Sequence, residues 1–392
     1  MSPSAPESSA NDPTIPAAER SPVAPLGATD ATLSAARRGD LIALVGTTTR
    51  VFDDCLLPNG ALVEAPGHLP FYPSAARDAM RCRPGRDLAL AIAAMDALGR
   101  DVRAPLLRWL GERAAGFGDD ALLRRAYAVH GPVLDERHDL VGTGLLLRAI
   151  SADPAAALAE PASAVTRSLA SALAVRWDGH GFRDHDRPDP LAHAAELAAA
   201  EVGLRAAGAA QGVDEWSRVA DAIARTRADA AKATLAGADR LDSTRHRDSL
   251  VEDALTLAWP LGAPAGDVVA FATLVERAER AVGLHDLEWQ EDGADEPRRT
   301  LHRGTGLRPA ELFWLALALA AAGRVGDAER YYTLGCELAD NDGHFPETAD
   351  SPDLEPAARP LLAAHLTFLL AADALGRIAE IPKTGHTATR RR

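Results

Sequence analysis

The feature that most constrains this chain is an alternation of two kinds of helical segment. Residues 86–99 (RDLALAIAAMDALG), 138–150, 190–207, 248–258, 309–323 (PAELFWLALALAAAG) and 356–376 are apolar nearly all round, as a helix buried on several sides must be. Between them lie amphipathic stretches at 102–115, 161–176, 213–235, 266–282 and 325–339, whose apolar residues recur at helical spacing on one face. One further helix somewhere in 31–56 makes six of each kind. β-branched runs of period two are scarce, whereas Ala and Leu dominate, so the class is all-α. Six inner and six outer helices in strict alternation predict an (α/α)6 toroid made as a single domain.

The connections differ in length by kind. Inner-to-outer links are short, as at 99–102 and 323–325, while outer-to-inner links are long: 57–85, 116–137, 177–189, 236–247, 283–308 and 340–355. In an up-and-down ring all the long loops emerge at one end, beside the N-termini of the inner helices. Long loops tend to carry function, and free N–H groups at helix starts favour anionic or hydroxyl-rich ligands. The charged and aromatic clusters fall there: Arg86 and Asp87; Arg137, His138 and Asp139; Trp177 to His185; His246 to Asp248; Trp289, His302 and Arg303; Asp342 to Glu347. Carboxylates and arginines suit sugar hydroxyls, and aromatic faces suit the C–H face of a pyranose.

Composition narrows the classes. A net charge of −14, with Arg and acidic residues interleaved, argues against a nucleic-acid partner. No secretory signal or stretch of 18 uncharged apolar residues is evident, which predicts a cytoplasmic protein with no membrane partner. Residues 1–30 and 381–392, lacking apolar periodicity, are expected to be disordered and to flank a domain at 31–380. Cys55, Cys82 and Cys336 are odd in number and far apart, which indicates buried thiols and neither a disulfide framework nor a zinc site. No cofactor and no metal is expected, and the oligomeric state is left open.

Five segments, LPNGALVEAP, PGRDLALAIAAMDALG, RHDLVGTGLLLRAI, DSLVEDALTLAWP and RGTGLRPAELFWLALALAAAG with the following DGHFPET, resemble in order and spacing glycoside hydrolase family 15, the glucoamylase-like enzymes. The resemblance spans roughly residues 50–375. It implies inverting hydrolysis of a terminal α-linked glucose from an oligosaccharide or disaccharide. Arg86 and Asp87 match the pair that holds hydroxyls of the terminal sugar, although Pro84 replaces the aromatic before them. Glu347, in the Pro-Glu step of DGHFPET, matches the catalytic base. At the general acid position the chain has Phe182 and Arg183, and arginine does not donate a proton at useful pH; Asp184, one residue on, is the substitute.

His138, Asp139, Trp177 and Arg303 are the remaining candidates for substrate contact, His138 and Asp139 being equally readable as helix caps. Two other readings stay open. One is a sugar-binding relative with impaired catalysis, motivated by Arg183 and Pro84. The other is sugar epimerisation on the same toroid, motivated by His138, His185, His246, His302 and His344.

Overall fold

A computed structural model describes residues 30–66, 81–114, 122–130, 133–177, 190–237, 255–261, 273–276, 307–348 and 358–380. The chain divides into Met1–Asp40 and Leu41–Arg392; of the first, residues 30–40 open helix α1 (Asp30–Cys55).

Beyond α1, the helices of the second unit are α2 (Arg86–Ala97), α3 (Arg103–Ala114), α4 (Leu140–Ser151), the short α5 (Pro154–Leu158), α6 (Ala162–Arg176), α7 (Pro190–Gln211), α8 (Asp214–Gly237), α9 (Pro309–Ala321), α10 (Val325–Glu337) and α11 (Leu362–Ala374). Residues 255–258 and 273–276 are also helical, inside the two remaining expected segments. The apolar helices pack on one another: α2 on α4, α4 on α7, α9 on α11, and α11 back on α2. The amphipathic helices lie outside, α3 against α6 and α6 against α8, with α6 and α8 covering α7 and α10 covering α9. The two patterns follow from burial. On α9, Leu312 to Leu319 are buried without a break, whereas on α10 Tyr331, Tyr332, Leu334 and Gly335 are buried and Glu329, Arg330 and Thr333 are exposed.

Inner helices approach closely where the sequence supplies glycine. A Cβ on Gly144 of α4 would lie 2.1 Å from the carbonyl oxygen of Ala199 on α7, and one on Gly203 would lie 2.6 Å from the carbonyl oxygen of Gly144. Backbone therefore meets backbone at this crossing, closer than any larger residue permits.

The loops before α2 and α4 hold an antiparallel sheet, β1 (Arg81–Cys82), β2 (Arg124–Ala128) and β3 (Val133–His138), in the order β1-β2-β3. Strands thus occupy parts of the long connections 57–85 and 116–137 where the sequence carries no strand signal, and His138 moves from the first turn of a helix to the end of a strand. Tyr127 anchors the sheet, buried edge-on against Trp109 of α3 with ring centroids 6.4 Å apart, and the Trp109 indole N–H donates to the Val129 carbonyl at 3.3 Å. Leu362 opens α11 six residues later than expected, just past Pro360, because proline disfavours helical backbone at the residue before it. Among the described residues no helix is long and apolar enough to cross a membrane.

Candidate active site

Asp139 caps α4. Its Oδ1 accepts from the Gly142 N–H at 2.7 Å, its carbonyl accepts from the Thr143 hydroxyl at 2.6 Å, and its own N–H donates to the Leu123 carbonyl at 2.7 Å. The capping alternative is thus realised at this residue. His138, one position earlier, lies at the sheet edge with Nδ1 3.3 Å from Arg124 Nη1. The start of α4 abuts the start of α2: a Cβ on Gly85 would fall 2.6 Å from the Gly142 Cα and 2.4 Å from Asp139 Oδ2. Arg86 and Asp87 follow at once in the first turn of α2, joined Nε to Oδ1 at 3.4 Å. Asp87 is buried at 2% exposure while Arg86 is half-buried.

Beside Asp87 stands a carboxylate that no sequence pattern singles out, Glu64. Its Oε2 meets Arg81 Nε at 2.8 Å and its Oε1 meets Arg83 Nε at 2.5 Å. Burial raises the Glu64 carboxyl above its ordinary range, Asp87 adds to the rise, and Arg83 and Arg81 oppose it. The one local signal for it is a lone acid inside the apolar run of NGALVEAP. Asp87 also reaches two buried thiols, Cys55 and Cys82; burial comes first in pushing both upward, with Cys82 at about 12.

Glu64 ties this cluster to the next element, for its carbonyl accepts from the Leu362 N–H at the start of α11 at 2.8 Å. Leu361 in turn donates its N–H to the Phe345 carbonyl at 2.9 Å, and Glu347 donates its N–H to the Ala358 carbonyl at 2.7 Å. Phe345 and Glu347 of the DGHFPE segment are thereby hydrogen-bonded to the residues that lead into α11. Glu347 is exposed, and among the described residues its carboxylate makes no hydrogen bond or ion pair. Close approaches, backbone hydrogen bonds and neighbours in sequence thus connect Asp139, Gly85, Asp87, Glu64 and Glu347 around the N-terminal ends of α4, α2 and α11, Asp87 and Glu64 being linked through the field of one on the other.

Trp177 caps the C-terminus of α6 and is half-buried against the core, joined to those residues by no hydrogen bond or ring contact among the described residues. Asp184 and Arg303, with Arg183, His185, His246, Trp289 and His302, lie outside the described residues. Asp340, Asp342 and His344 place one ligand atom each within 4.8 Å of one another. Asp340 Oδ1 there accepts from the Asp342 and His344 N–H groups at 3.0 and 2.8 Å, an arrangement that folds the loop on itself.

No family model matches the sequence, and no curated protein matches it. Solved structures do share the fold. A glycosidase variant with a Glu-to-Ala substitution, in complex with glucose, superposes with a TM-score of 0.59 at 20% identity, over 87% of this chain and 98% of that one. A bacterial glucoamylase complexed with acarbose gives 0.56 at 15% identity, over 86% of this chain and 56% of that chain. The glucoamylase of Saccharomycopsis fibuligera gives 0.56 at 10%, over 90% and 96%. The fold is an all-α, six-hairpin toroid of the kind these glycosidases have.

Proposed function

We propose that this protein is an exo-acting glycoside hydrolase of glucoamylase type, releasing terminal α-linked glucose from small oligosaccharides or a disaccharide with inversion. The observation that supports the reading is that a buried Asp87 with its Arg86 partner, and the segment that carries the exposed Glu347, both lie beside the N-terminal ends of inner helices, α2 and α11, that pack on one another. The glucose and acarbose complexes of structural neighbours support a sugar as the ligand.

Arg86 and Asp87 take hydroxyls of the terminal sugar. The Asp87 carboxylate sits in a desolvated setting where a charge-assisted hydrogen bond gains strength. Glu347 is the base. A solvent-facing carboxylate that has no partner among the described residues can accept a proton from water, and inversion requires that water to attack from the face opposite the leaving group. Asp184 is the acid that protonates the leaving oxygen, and it must be held protonated near neutral pH despite Arg183 and His185 on either side of it.

The test is release of free glucose from maltooligosaccharides, isomaltose and trehalose between pH 4 and 8, with Glu347→Gln as control. Turnover abolished by Glu347→Gln with sugar binding retained is the expected result. Undiminished turnover in that variant removes Glu347 from the mechanism. Binding without turnover in the wild type supports instead the impaired relative, for which Arg183 at the acid position is the residue that explains the silence.

A further inference from the structure

His365 is a lone histidine in the apolar helix α11, fully buried, and the proposed chemistry does not use it. Its two ring nitrogens join three parts of the fold. Nε2 lies 3.2 Å from the backbone N of Phe345, and Nδ1 lies 2.9 Å from Oγ1 of Thr48, itself fully buried on α1. A backbone N–H only donates, so Nε2 is the acceptor; a neutral ring then carries its proton on Nδ1 and gives it to the Thr48 hydroxyl. The imidazole therefore works in one tautomer, and the Phe345 N–H, buried in the same interior, is satisfied by no other bond among the described residues.

What that bond holds is the segment that carries Glu347, two residues further on. The Phe345 side chain is wedged among Phe313 of α9, Phe368 of α11 and the His365 ring, at centroid distances of 5.1, 5.3 and 4.8 Å. Next to Thr48, the Thr47 hydroxyl donates to the Asp342 carbonyl at 3.2 Å. The aromatic contacts fix the depth of the segment; the N–H to Nε2 bond holds the Phe345 peptide from the side opposite its carbonyl, which Leu361 binds, and Glu347 is itself tied through its N–H to Ala358.

We propose that His365, as the Nδ1–H tautomer clamped between Thr48 and Phe345, is the positioning residue that aims the Glu347 carboxylate. This rests on the reading of Glu347 as the base, and the experiment separates the two. Uniformly 15N-histidine-labelled protein is expected to show His365 with a pyridine-like Nε2 and a pyrrole-like Nδ1. In His365→Leu, hydrogen–deuterium exchange across 340–348 rises, and kcat on the glucoside turned over by the wild type falls about 10²-fold with KM little changed, the loss that a displacement near 1 Å imposes.

His365→Gln, whose Oε1 reaches toward the Nε2 position, restores most of both. Thr48→Val, which removes the partner of Nδ1–H from a different helix, reproduces the loosened loop in milder form and serves where His365→Leu does not fold. The opposite tautomer, or native exchange at 340–348 in both His365→Leu and Thr48→Val, overturns the clamp. A loosened loop with kcat intact, in a protein that Glu347→Gln inactivates, overturns the positioning role. Full activity in Glu347→Gln instead defeats the assignment of the base, and the exchange and tautomer readouts still decide the clamp.

Discussion

Gly142→Ala is the perturbation whose outcome the geometry dictates most tightly. The added methyl would lie 2.1 Å from Asp139 Oδ2 and 2.7 Å from the Gly85 Cα, distances at which no carbon settles. The Asp139 carboxylate can rotate away only by giving up its bond to the Gly142 N–H, a cap that contributes about 1 kcal/mol. Gly85 is backbone and cannot rotate away, so the starts of α2 and α4 must separate, which overpacking data put at about 1–3 kcal/mol. The sum is about 2–4 kcal/mol, read as a shift in urea midpoint at unchanged slope. The added variant Asp139→Ala tests the partition: in the double mutant the carboxylate collision is gone while the Gly85 contact persists, so the two losses combine to less than their sum. Because Arg86 and Asp87 follow Gly85 directly, KM for the sugar should rise in Gly142→Ala as well. A Gly142→Ala protein within about 0.5 kcal/mol of wild type, the range of neutral surface changes, would refute the reasoning.

Three further outcomes are expected. Gly144→Ala, aimed at the Ala199 carbonyl 2.1 Å away, should lower the thermal midpoint by several degrees, more than Gly99→Ala, where a Cβ meets nothing within 4 Å and the strain comes only from φ +71°; equal midpoints for the two contradict the close crossing of α4 and α7. His365 is held neutral, its pKa brought down from 6.5 to about 3 first by burial and then by nearby His344. The unfolded chain therefore binds a proton that the folded chain refuses between those values, so stability falls as pH drops from 6.5 toward 3; His365→Gln should flatten that limb of a urea-midpoint profile, and parallel profiles would contradict it. Cys55 and Cys82 are buried with thiols pushed up, by burial foremost, so a disulfide reagent at pH 8 should label them only after denaturation.

The alternation of helices is legible in the sequence because it is a matter of area: the interior of the ring leaves no room for a polar face, and PAELFWLALALAA shows none. The sheet is not. Arg124-Arg-Ala-Tyr-Ala and Val-Leu-Asp-Glu-Arg-His have few β-branched residues, and their pairing is fixed by tertiary contacts such as Tyr127 on Trp109, which no local pattern displays. At the candidate site, Arg86, Asp87 and Asp139 stand out in the sequence as polar residues at helix starts, and the structure sets the starts of α2 and α4 against each other. Glu64 and His365 escape a sequence reading for a shared reason. Each is a single polar residue in an apolar run, and its worth lies in partners 17 to 317 positions away in sequence. Glu347 is legible only through resemblance, since an acid in an acidic loop has no distinguishing local signature.

The measurement that bears most directly on the central claim is the anomeric form of the first glucose released, followed by proton NMR before mutarotation. An inverting enzyme acting through Glu347 yields β-glucose from an α-linked substrate, with the signal absent in Glu347→Gln. α-Glucose as the first product, or β-glucose formed equally by Glu347→Gln, would contradict the account.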